Sequence, residues 1–472
     1  MKFSGLQYAL VLFIVVFSGC SSYYQKNSKM MNAVYKGNFS LAAQILKDDK
    51  KMQKPARNRL LFYLNKGTVL FLNNNFSESI NYFRHADYFV EDYHKNVGNE
   101  ALALISNPNI TTYAGESFEQ VMIHYYGALN YLMINDKESA LIETKRMLSK
   151  MQRITDKYKN NNKYKVDAFA HLLAGIVYDA NNDPNNAFIA YRNAYKIYKD
   201  DYSKKFNTDV PEQLKIDIIR TAYQTGFNDE VAFYEKEFNI KFNPSSLSNK
   251  TNAVVFWNNG FGPIKTQKSI NFTVIPYANH PGWVEFTNWD LGISIPIKLD
   301  DDNQRKSLLD LKIIRMALPQ YQTRNPVYQS ATIKVNNQNY QFQLAQNVNA
   351  IAYKSLEDRE LAELSKGIMR VALKQLLAHQ LKQQNQGSGL GLAAQIYGAV
   401  SEQADTRNWQ LLPHSIFYTR IPLHEGSQKL EFTATGSGGA KRNFTTEIKP
   451  IKGNTSFVIF NTLEFSGYSN NR

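Results

Sequence analysis

The spacing of apolar residues divides the chain into two parts with different periodicities. From residue 33 to residue 243, apolar positions recur every three to four residues, which is the spacing of amphipathic helices. A polar, turn-forming stretch follows at residues 244–250, and after it the apolar residues come in short alternating runs that are typical of strands. The pattern therefore predicts an all-α region at 33–243 and an α+β domain at 244–472.

Turn residues, a small residue and an aromatic residue recur in register along the helical region. The turns are at Gly37-Asn38, Asn75-Phe76, Asn135-Asp136 and Asn182-Asp183. In two copies a glycine lies 16 positions before an aromatic residue, as Gly67 does before Phe83 and Gly175 before Tyr191. This pattern is typical of tetratricopeptide repeats, which are helix hairpins of about 34 residues whose helices approach closely at small residues. We predict four hairpins and a degenerate fifth at residues 216–238 that caps the array.

A capping box predicts the start of one helix in this region. In Ser117-Phe118-Glu119-Gln120, the serine side chain would accept a hydrogen bond from a free backbone amide and Gln120 would reach back to the start of the helix.

The C-terminal domain is predicted to hold antiparallel strands on either side of a helix pair. The predicted strands are at residues 253–257, 284–286, 293–299, 312–318, 331–335, 340–344, 415–421, 429–435, 444–448 and 456–460. Residues 331–335 and 340–344, joined through residues 336–339, form the clearest hairpin. The two helices are predicted at 355–384 and 392–403. The predicted fold class is thus a tetratricopeptide-like helical array followed by an α+β domain.

The beginning of the chain has the layout of a lipoprotein signal peptide. Lys2 and a mostly apolar run at residues 6–17, which is too short for a normal membrane span, precede Ser18-Gly19-Cys20. Small residues before a cysteine let a lipoprotein signal peptidase cut there once the thiol has been acylated, and Cys20 is the only cysteine of the chain. We expect residues 1–19 to be a signal peptide, Cys20 to be lipidated, and residues 20–32 to be a lipid-anchored tether. A plain signal peptide, or an uncleaved anchor with an incidental cysteine, is the alternative.

The residue after the lipidation site indicates a destination. Ser21, rather than an acidic residue, follows Cys20. Under the sorting rule of Gram-negative lipoproteins this pattern favours transport to the outer membrane. We therefore expect an exported protein, anchored in the cell envelope at the periplasmic face of the outer membrane.

The charge balance suggests acidic partners and argues against nucleic acid. The chain has 55 Lys and Arg against 41 Asp and Glu, a net charge of +14, of which the signal peptide contributes only Lys2. Such an excess could attract anionic lipid head groups, acidic envelope polymers or acidic proteins, although a basic composition also serves solubility alone. An exported lipoprotein seldom meets nucleic acid, and no nucleic-acid-binding signature is present.

The sequence shows no recognisable catalytic or metal motif. The eight histidines do not pair at metal-ligand spacing, and neither a hydrolase motif nor a Walker loop is present. We therefore predict no metal, no cofactor and no enzyme activity, while catalytic groups scattered along the sequence stay possible. The glycine-rich residues 387–391 resemble a phosphate-binding loop but are better interpreted as a helix connector. The acidic residues 300–302 are better interpreted as a helix cap than as a calcium loop.

The most distinctive segment of the C-terminal domain is Asp405-Thr406-Arg407-Asn408-Trp409. Asp405 and Arg407 could clamp a ligand or partner, with Trp409 as a stacking wall. The same three residues could instead form a salt-bridged corner that fixes a helix-to-strand transition, and this structural interpretation is the favoured one.

Several segments together resemble a known family. They are residues 115–120, 124–131, 402–409, 412–413 and 420–423. In this combination the chain resembles a family of largely uncharacterised bacterial envelope lipoproteins with N-terminal tetratricopeptide repeats, although it has Asn408 where serine is expected. The resemblance implies a lipid-anchored periplasmic protein, sometimes encoded near an activator of peptidoglycan synthesis. It supplies no catalytic residues.

Two main hypotheses of function follow. The first is a membrane-anchored interaction scaffold or adaptor, in which the concave face of the repeats holds a peptide or helix of an envelope protein. The alternative is a protein that binds, or an enzyme that acts on, cell-wall glycan or peptide through the C-terminal domain. A carrier of lipid or acidic polymer is a third possibility.

Overall fold

A computed structural model describes residues 23–53, 56–96, 111–157, 167–248, 251–384 and 403–469. The predicted signal peptide, Cys20, the glycine-rich connector at 387–391 and almost all of the helix predicted at 392–403 lie outside these residues. Within them, no helix combines the length and the apolar character needed to cross a membrane.

The first half of the described chain is helical. Its helices are α1 (Tyr23–Lys26), α2 (Ser28–Tyr35), α3 (Phe39–Asp48), α4 (Lys50–Gln53), α5 (Ala56–Leu72), α6 (Phe76–Asn96), α7 (Ser117–Met133), α8 (Lys137–Lys157), α9 (Ala168–Ala180), α10 (Pro184–Ile197), α11 (Ser203–Phe206), α12 (Glu212–Gln224) and α13 (Asn228–Phe238). A π-helical turn at Tyr198–Tyr202 joins α10 to α11. Five hairpins form in order, α2/α3, α5/α6, α7/α8, α9/α10 and α12/α13, as the repeat pattern predicts.

One backbone feature ends the first helix of every hairpin. A residue with positive φ follows each of these helices, and it is always Gly or Asn: Gly37, Asn74, Asn135, Asn182 and Gly226. Gly has no Cβ and Asn tolerates the left-handed region, so these residues can end a helix tightly and turn the chain back. The recurrence of turn residues in the sequence therefore has a direct cause in the backbone.

The glycine and aromatic residues 16 positions apart pack against each other. A Cβ placed on Gly67 would lie 3.0 Å from the Phe83 ring, and one on Gly175 would lie 2.4 Å from the Tyr191 ring. Glycine therefore lets the two helices of a hairpin approach to ring contact, which confirms the repeat pattern predicted from the sequence.

We expect Gly175→Ala to destabilise the protein. The added methyl group would overlap the Tyr191 ring, so α9 and α10 must separate, at a cost of about 1–3 kcal/mol in the free energy of unfolding. The better helix propensity of alanine offsets at most about 1 kcal/mol of this loss. Urea denaturation measures the change. In a Tyr191→Ala background the same substitution should cost much less, and an equal cost in both backgrounds would contradict the packing explanation.

The second half of the described chain contains three sheets. The strands are β1 (Asn252–Asn259), β2 (Ile264–Pro276), β3 (Trp283–Asn288), β4 (Ile293–Lys298), β5 (Ile313–Pro326), β6 (Tyr328–Val335), β7 (Gln338–Gln341), β8 (Gln343–Asn347), β9 (Ser415–Pro422), β10 (Gln428–Gly436), β11 (Lys441–Ile448), β12 (Thr455–Thr462) and β13 (Phe465–Ser469). Their orders are β12-β1-β9-β8, β11-β10-β6-β7 and β13-β5-β2-β3-β4. Among the described strands the pairings are antiparallel except for β1 with β12, which is parallel. The helices here are α14 (Asp302–Leu309), α15 (Val348–Glu357) and α16 (Glu360–Gln384).

Several details of this half differ from the sequence-based prediction, which gave no strand at Ile264–Pro276 or at Phe465–Ser469. The clearest hairpin turns in two residues, Asn336 and Asn337, both with positive φ, and its second strand ends at Gln341 because β8 joins another sheet. Strand β5 continues through Pro319, where only β2 pairs with it, so the missing N–H faces no neighbouring strand. The long helix predicted at 355–384 is split, since α15 ends at Glu357 and α16 begins at Glu360.

The segment predicted as a tether is folded from residue 23 onward. Residues 23–26 and 28–35 are helical, and Met30, Met31 and Val34 are buried. The Tyr24 hydroxyl lies 2.7 Å from the hydroxyl of Tyr468 in the last strand. Polar residues alone suggested a spacer, but the apolar side of α2 finds a partner at the far end of the sequence. Of the proposed tether at 20–32, only residues 20–22 precede the described fold.

The sheet β12-β1-β9-β8 lies between the helical array and the second sheet. On one face, Val254 and Phe256 belong to the core shared with the helices. On the other face, Val255 and Trp257 pack into the core of the second sheet. Strand β1 is therefore buried on both sides, which explains its unbroken apolar run.

The first helices of the hairpins face this sheet and the segments beside it. Four hydrogen bonds show the arrangement: Thr68 of α5 accepts from Trp409, Tyr125 of α7 donates to Asn258, Gln346 donates to Asp167 at the start of α9, and the backbone of Gln213 in α12 donates to Gln343. The first helices of tetratricopeptide hairpins line the concave face of an array. The chain's own C-terminal half thus covers the face that we expected to hold a partner peptide.

Candidate functional site

Two segments singled out in the sequence meet where the two halves of the chain join. The backbone N–H of Trp409 donates to Oε1 of Glu119, across 290 residues of sequence, at 2.7 Å. The Trp409 ring packs against Phe83 and Tyr126, and its Nε1–H donates to Thr68 at 3.0 Å. Trp409 is 1% exposed. Its indole is therefore an anchor between the halves, with no open face on which a ligand could stack.

Arg407 is held in the same junction. Its guanidinium donates to both carboxylate oxygens of Asp405, at 2.9 and 2.7 Å, and to the backbone carbonyls of Arg57 and Thr111, at 2.8 and 3.0 Å. It also lies over the Tyr113 ring. Because the Arg407 side chain is buried and Asp405 remains partly exposed, this geometry favours the salt-bridged corner over the ligand clamp.

Asn408 shares the structural role of its neighbours. Its Oδ1 accepts from the backbone of Lys265 at 3.3 Å, and its Nδ2 donates to the Pro263 carbonyl at 2.8 Å. Both partners are backbone groups at the start of β2. The side chain therefore fixes the corner to that strand.

The helix start at Ser117 exists, but the capping residues differ from the predicted ones. Glu119, not Gln120, reaches back, and its Oε2 accepts from the backbone of Glu116 at 3.0 Å. Gln120 donates instead to the Ala114 carbonyl at 3.0 Å. Ser117 is the first helical residue, so Glu116 occupies the N-cap position and the box is one residue earlier than predicted.

Two buried carboxylates with different properties lie at this helix start. Glu116 is bound by Lys265 and Arg359. Burial alone would raise its pKa, but Arg359 and Lys265 outweigh burial and lower the pKa of Glu116 to about 2. Burial and the neighbouring Glu116 charge raise the pKa of Glu119 above its ordinary value, although it accepts from Tyr113 at 2.5 Å. The ion cluster thus joins α7 to the C-terminal half.

A second buried ion cluster fastens β9 to the repeats. Arg420 of β9 lies 2.8 Å from Asp179 of α9 and 3.1 Å from Asp217 of α12. Arg220 contacts the same two carboxylates, at 2.6 and 2.8 Å. Burial opposes the charge of Asp179, but the two arginines lower its pKa to about 2. The cluster therefore connects two hairpins to one strand. The Nη2–H of Arg420 also donates to the Tyr191 hydroxyl oxygen at 3.1 Å.

An open cleft adjoins the first ion cluster. Its inner cavity, of about 210 Å³, is lined by the 112–116 loop, Lys265, Arg359, Arg370 and Asp405. Its outer cavity, of about 430 Å³, is lined by Tyr321, Tyr353 and three glutamates of the α15–α16 region. Both cavities share the walls formed by Leu318, Pro319, Leu356 and Glu363. The volume of the outer cavity is in the range of small-molecule sites. Of the three predicted site residues, only Asp405 lines it.

A groove of about 200 Å³ lies on the opposite side of the array, between the second helices α6 and α8. Its floor includes Gly127 of α7, and Tyr88 and Ile142 on its sides are 54% and 53% exposed. Charged residues of both signs line it as well: Arg84, Asp87, Glu143 and Arg146. Tyr88 and Ile142 are more exposed than Asp87 and Glu143, whose side chains are 14% and 15% exposed. Exposed apolar side chains beside charged ones are typical of a protein interface.

His124 lies beneath this groove between two acidic residues. Its Nδ1 is 2.8 Å from Glu143 and its Nε2 is 3.4 Å from Asp87, while Lys150 lies 3.9 Å from Asp87 and contacts Glu91. Burial disfavours the charged ring, but the hydrogen bonds to Asp87 and Glu143 outweigh burial and raise the pKa of His124. The imidazolium therefore links α6, α7 and α8.

This arrangement predicts a pH dependence of stability. Because the folded-state pKa of His124 is raised, its contribution is fully present below about pH 6.5, its value in the unfolded chain, and is lost as the pH rises through the folded-state pKa. We expect His124→Gln to remove this decrease from the profile of unfolding free energy against pH. The exposed His424, replaced in the same way, serves as the control. A wild-type profile that stays flat above pH 6.5 would contradict the assignment.

Of the residues that line the cleft, the sequence singled out Asp405 alone as a site residue. Glu116 belongs to a segment that carried the family resemblance, but Lys265, Tyr321, Arg359 and Arg370 belong to no motif. They come together because β2, β5, α15 and α16 are neighbours in space. Within the described ranges, no three His, Cys, Asp or Glu side chains gather as metal ligands.

Comparison with known proteins gives matches to solved structures alone. No family model and no curated protein matches the chain. MamA is 17% identical, with a TM-score of 0.28, over 46% of this chain and 93% of that one. Apo RapI is 13% identical, with a TM-score of 0.34, over 49% and 57%. A putative kinesin light chain of Podosopora anserina with TPR-like repeats is 10% identical, with a TM-score of 0.30, over 45% and 92%. At these TM-scores the likenesses carry no argument about function, and the repeat assignment rests on the hairpins themselves.

Proposed function

We propose that this chain is a lipid-anchored protein of the bacterial cell envelope that works as an interaction scaffold, with its partner bound in the groove between α6 and α8. The observation that carries the proposal is the exposure of Tyr88 and Ile142 in a groove that is also lined by charges of both signs. Exposed aromatic and aliphatic side chains in a recess are the usual anchors of binding energy. Since the chain's own C-terminal half covers the concave face, the outer groove is a recess of the described repeats that stays open to another protein.

The chemistry of the groove defines the partner. The space between two parallel ridges of helix accepts an amphipathic helix whose apolar side contacts Tyr88 and Ile142. Arg84 and Asp87 of α6, with Glu143 and Arg146 of α8, place charges of both signs on each wall of the groove. They fit a partner with charges of both signs next to its apolar residues. The resemblance stated for the sequence makes the peptidoglycan-synthesis machinery the envelope assembly in which to look for this partner.

Site-specific crosslinking in cells tests the scaffold. A photo-crosslinking amino acid at Tyr88 or Ile142 should give one discrete adduct with an envelope protein, and Arg84→Glu with Arg146→Glu should abolish it. The matched control is Phe233 of α13, which is 57% exposed and lies outside the groove. Adducts at position 233 equal to those at 88 and 142, or no adduct in the groove, would exclude this docking surface.

Incorporation of labelled palmitate tests the proposed lipid anchor at Cys20. Labelled palmitate should be incorporated into the wild-type chain and not into Cys20→Ala, and the unlabelled variant should leave the membrane fraction, since acyl chains supply the anchoring energy. Separation of inner from outer membranes then tests the proposed outer-membrane location. Equal labelling of both chains would exclude lipidation at Cys20.

The net charge of +14 supports an additional contact with anionic envelope polymers.

Binding of cell-wall peptide or glycan is the second candidate function. The observation in its favour is the cleft beside the Glu116 cluster, which has the volume of a ligand site and a mixture of apolar and charged walls.

A further inference from the structure

In the described part of the chain, each of the three sheets has two edge strands, and most of these strands are protected against pairing with another chain. Strands β7, β8 and β13 have only four or five residues. Strand β4 contains Pro296 and Lys298, and β11 begins with Lys441 and Arg442. Short length, proline and charge are the means by which proteins keep sheet edges from pairing. The remaining edge strand is β12.

Strand β12 has none of these protective features. Its eight residues, Thr-Ser-Phe-Val-Ile-Phe-Asn-Thr, include no charged residue and no proline. The side chains of Ser456, Phe457, Val458 and Ile459 are partly exposed. Phe457 and Ile459 pack on the core shared with the helices, and Val458 packs on the core of the second sheet. A partly exposed apolar edge strand without charge is a template for pairing with another strand.

Alternate residues of β12 direct their backbone groups away from β1. In the parallel ladder, the N–H groups of Asn252 and Gly260 donate to the carbonyls of Asn454 and Thr462, so the even-numbered residues of β12 bond to β1. The odd-numbered residues direct their N–H and C=O groups outward: Thr455, Phe457, Ile459 and Asn461. Within the described ranges, these outward groups have no backbone partner.

The sequence of β12 is complementary to itself in one antiparallel register. A two-fold axis at Val458 places this residue opposite its own copy, Phe457 opposite Ile459, and Thr455 opposite Asn461. The last two kinds of pair join outward-facing residues, so each pair exchanges backbone hydrogen bonds. At the centre of this register apolar side chains lie opposite apolar ones, and no like charges face each other. In a chain with a net charge of +14, an uncharged edge is where two copies repel each other least.

From this edge we propose that β12 pairs with β12 of a second copy, so that the protein is a two-fold symmetric dimer with one continuous sheet across its interface. The sheet runs β8-β9-β1-β12 in one copy and continues as β12-β1-β9-β8 in the other. The same patch serves both copies, as in other two-fold dimers. The interface lies apart from the α6/α8 groove, and the dimer does not depend on the scaffold function.

Cysteine crosslinking tests the register. In the proposed dimer the two Val458 residues form a non-hydrogen-bonded pair with Cα atoms about 4.5 Å apart, which a disulfide can bridge. Full-length Val458→Cys should therefore form a disulfide-linked dimer under mild oxidation.

The matched control for this crosslink is Ser456→Cys, on the same face of the strand. The two copies of position 456 lie about 13 Å apart along the strands, so they should crosslink at least about fivefold less. The parent chain shows any band that Cys20, its only cysteine, forms by itself. Equal crosslinking at 456 and 458, or none at 458, overturns the proposal.

Charges at the two-fold axis separate pairing from folding. Val458→Lys and Val458→Glu each place like charges opposite each other, so each variant dimer should dissociate at least about fivefold more readily. Mixed in equal amounts, the two variants should form a dimer again, which misfolded chains could not do. Sedimentation equilibrium of the full-length protein in density-matched detergent measures both effects.

Ser330→Lys is the control for the added charge, because Ser330 is exposed within β6, away from the β12 edge, and its replacement should leave the dimer unchanged. A monomeric wild-type protein, as would be found if β12 paired with a strand of another protein, contradicts the proposal. So does a dimer that Val458→Lys leaves intact.

Discussion

Replacing Arg420 with methionine is expected to lower the free energy of unfolding by about 3–5 kcal/mol. Methionine keeps much of the apolar stem but removes the cation that lies 2.8 Å from Asp179 and 3.1 Å from Asp217. Arg220 alone must then balance two buried carboxylates. Breaking a buried ion pair on one side leaves an uncompensated charge, which costs far more than the loss of an exposed pair.

The unfolding free energy of Arg420→Met at acidic pH provides a second measurement. The pKa of Asp179 is about 2 in the folded protein, below its usual range, so its contribution is present above about pH 4 and is lost as the pH falls toward 2. In Arg420→Met this loss should begin at higher pH. The control is Arg442→Met, since Arg442 is 53% exposed and 3.7 Å from Glu464, and it should change stability by less than about 0.5 kcal/mol. Equal effects of the two substitutions would contradict the role of the buried cluster.

We expect a comparable loss, about 3–5 kcal/mol, for Trp409→Ala. The substitution removes a ring that is packed against Phe83 and Tyr126, and it leaves Thr68 without its indole donor. The surrounding side chains come from different helices and cannot all move into the space. Trp289→Ala is the matched control, because Trp289 is 71% exposed and should change stability by less than about 0.5 kcal/mol.

The form of the unfolding curve adds a second measurement for Trp409→Ala. A single hydrophobic core contains residues of the helices, of β1, β8 and β9, and Trp409 itself. We therefore expect helical and aromatic circular dichroism signals to be lost in one coincident transition in the wild-type protein. Two separate transitions, with Trp409→Ala affecting neither, would mean that the two halves fold independently and that the shared core contributes little.

The helical half could be predicted because its signals are local. The 16-residue spacing of Gly175 and Tyr191 reflects a contact within one hairpin, and Asn182 at the turn reflects its own backbone conformation. The sequence also located the corner at residues 405–409 and gave the structural interpretation as the favoured one. It could not give the partners of Arg407 and Trp409, because Arg57, Thr68 and Glu119 lie about 290–350 residues earlier in the chain.

The cleft and the covered concave face could not be predicted from the sequence, for a different reason. Apolar periodicity tells which side of a helix is buried, but not what buries it. The first helices of the hairpins have the same pattern whether they face a partner or strands of their own chain. Likewise, no spacing rule connects Glu116, Lys265 and Arg359, because their proximity follows from the packing of α7, β2 and the α15–α16 turn. Charge and composition could therefore suggest a ligand class, but not the site.

Because β1 pairs with β12, the first sheet can be completed only late in the synthesis of the chain. Residues 252–259 pair with residues 455–462, so the sheet that fills the helical array lacks an edge strand until nearly all of the polypeptide is available. Bringing β12 to β1 closes a loop of about 200 residues, and its conformational entropy is lost before the two strands form their hydrogen bonds. The pairing of β1 with β12 should therefore be slow. A polypeptide cut short before residue 455 would present the open apolar edge of β1 to proteases and to other unfinished chains, so late nonsense mutations should be as damaging as early ones.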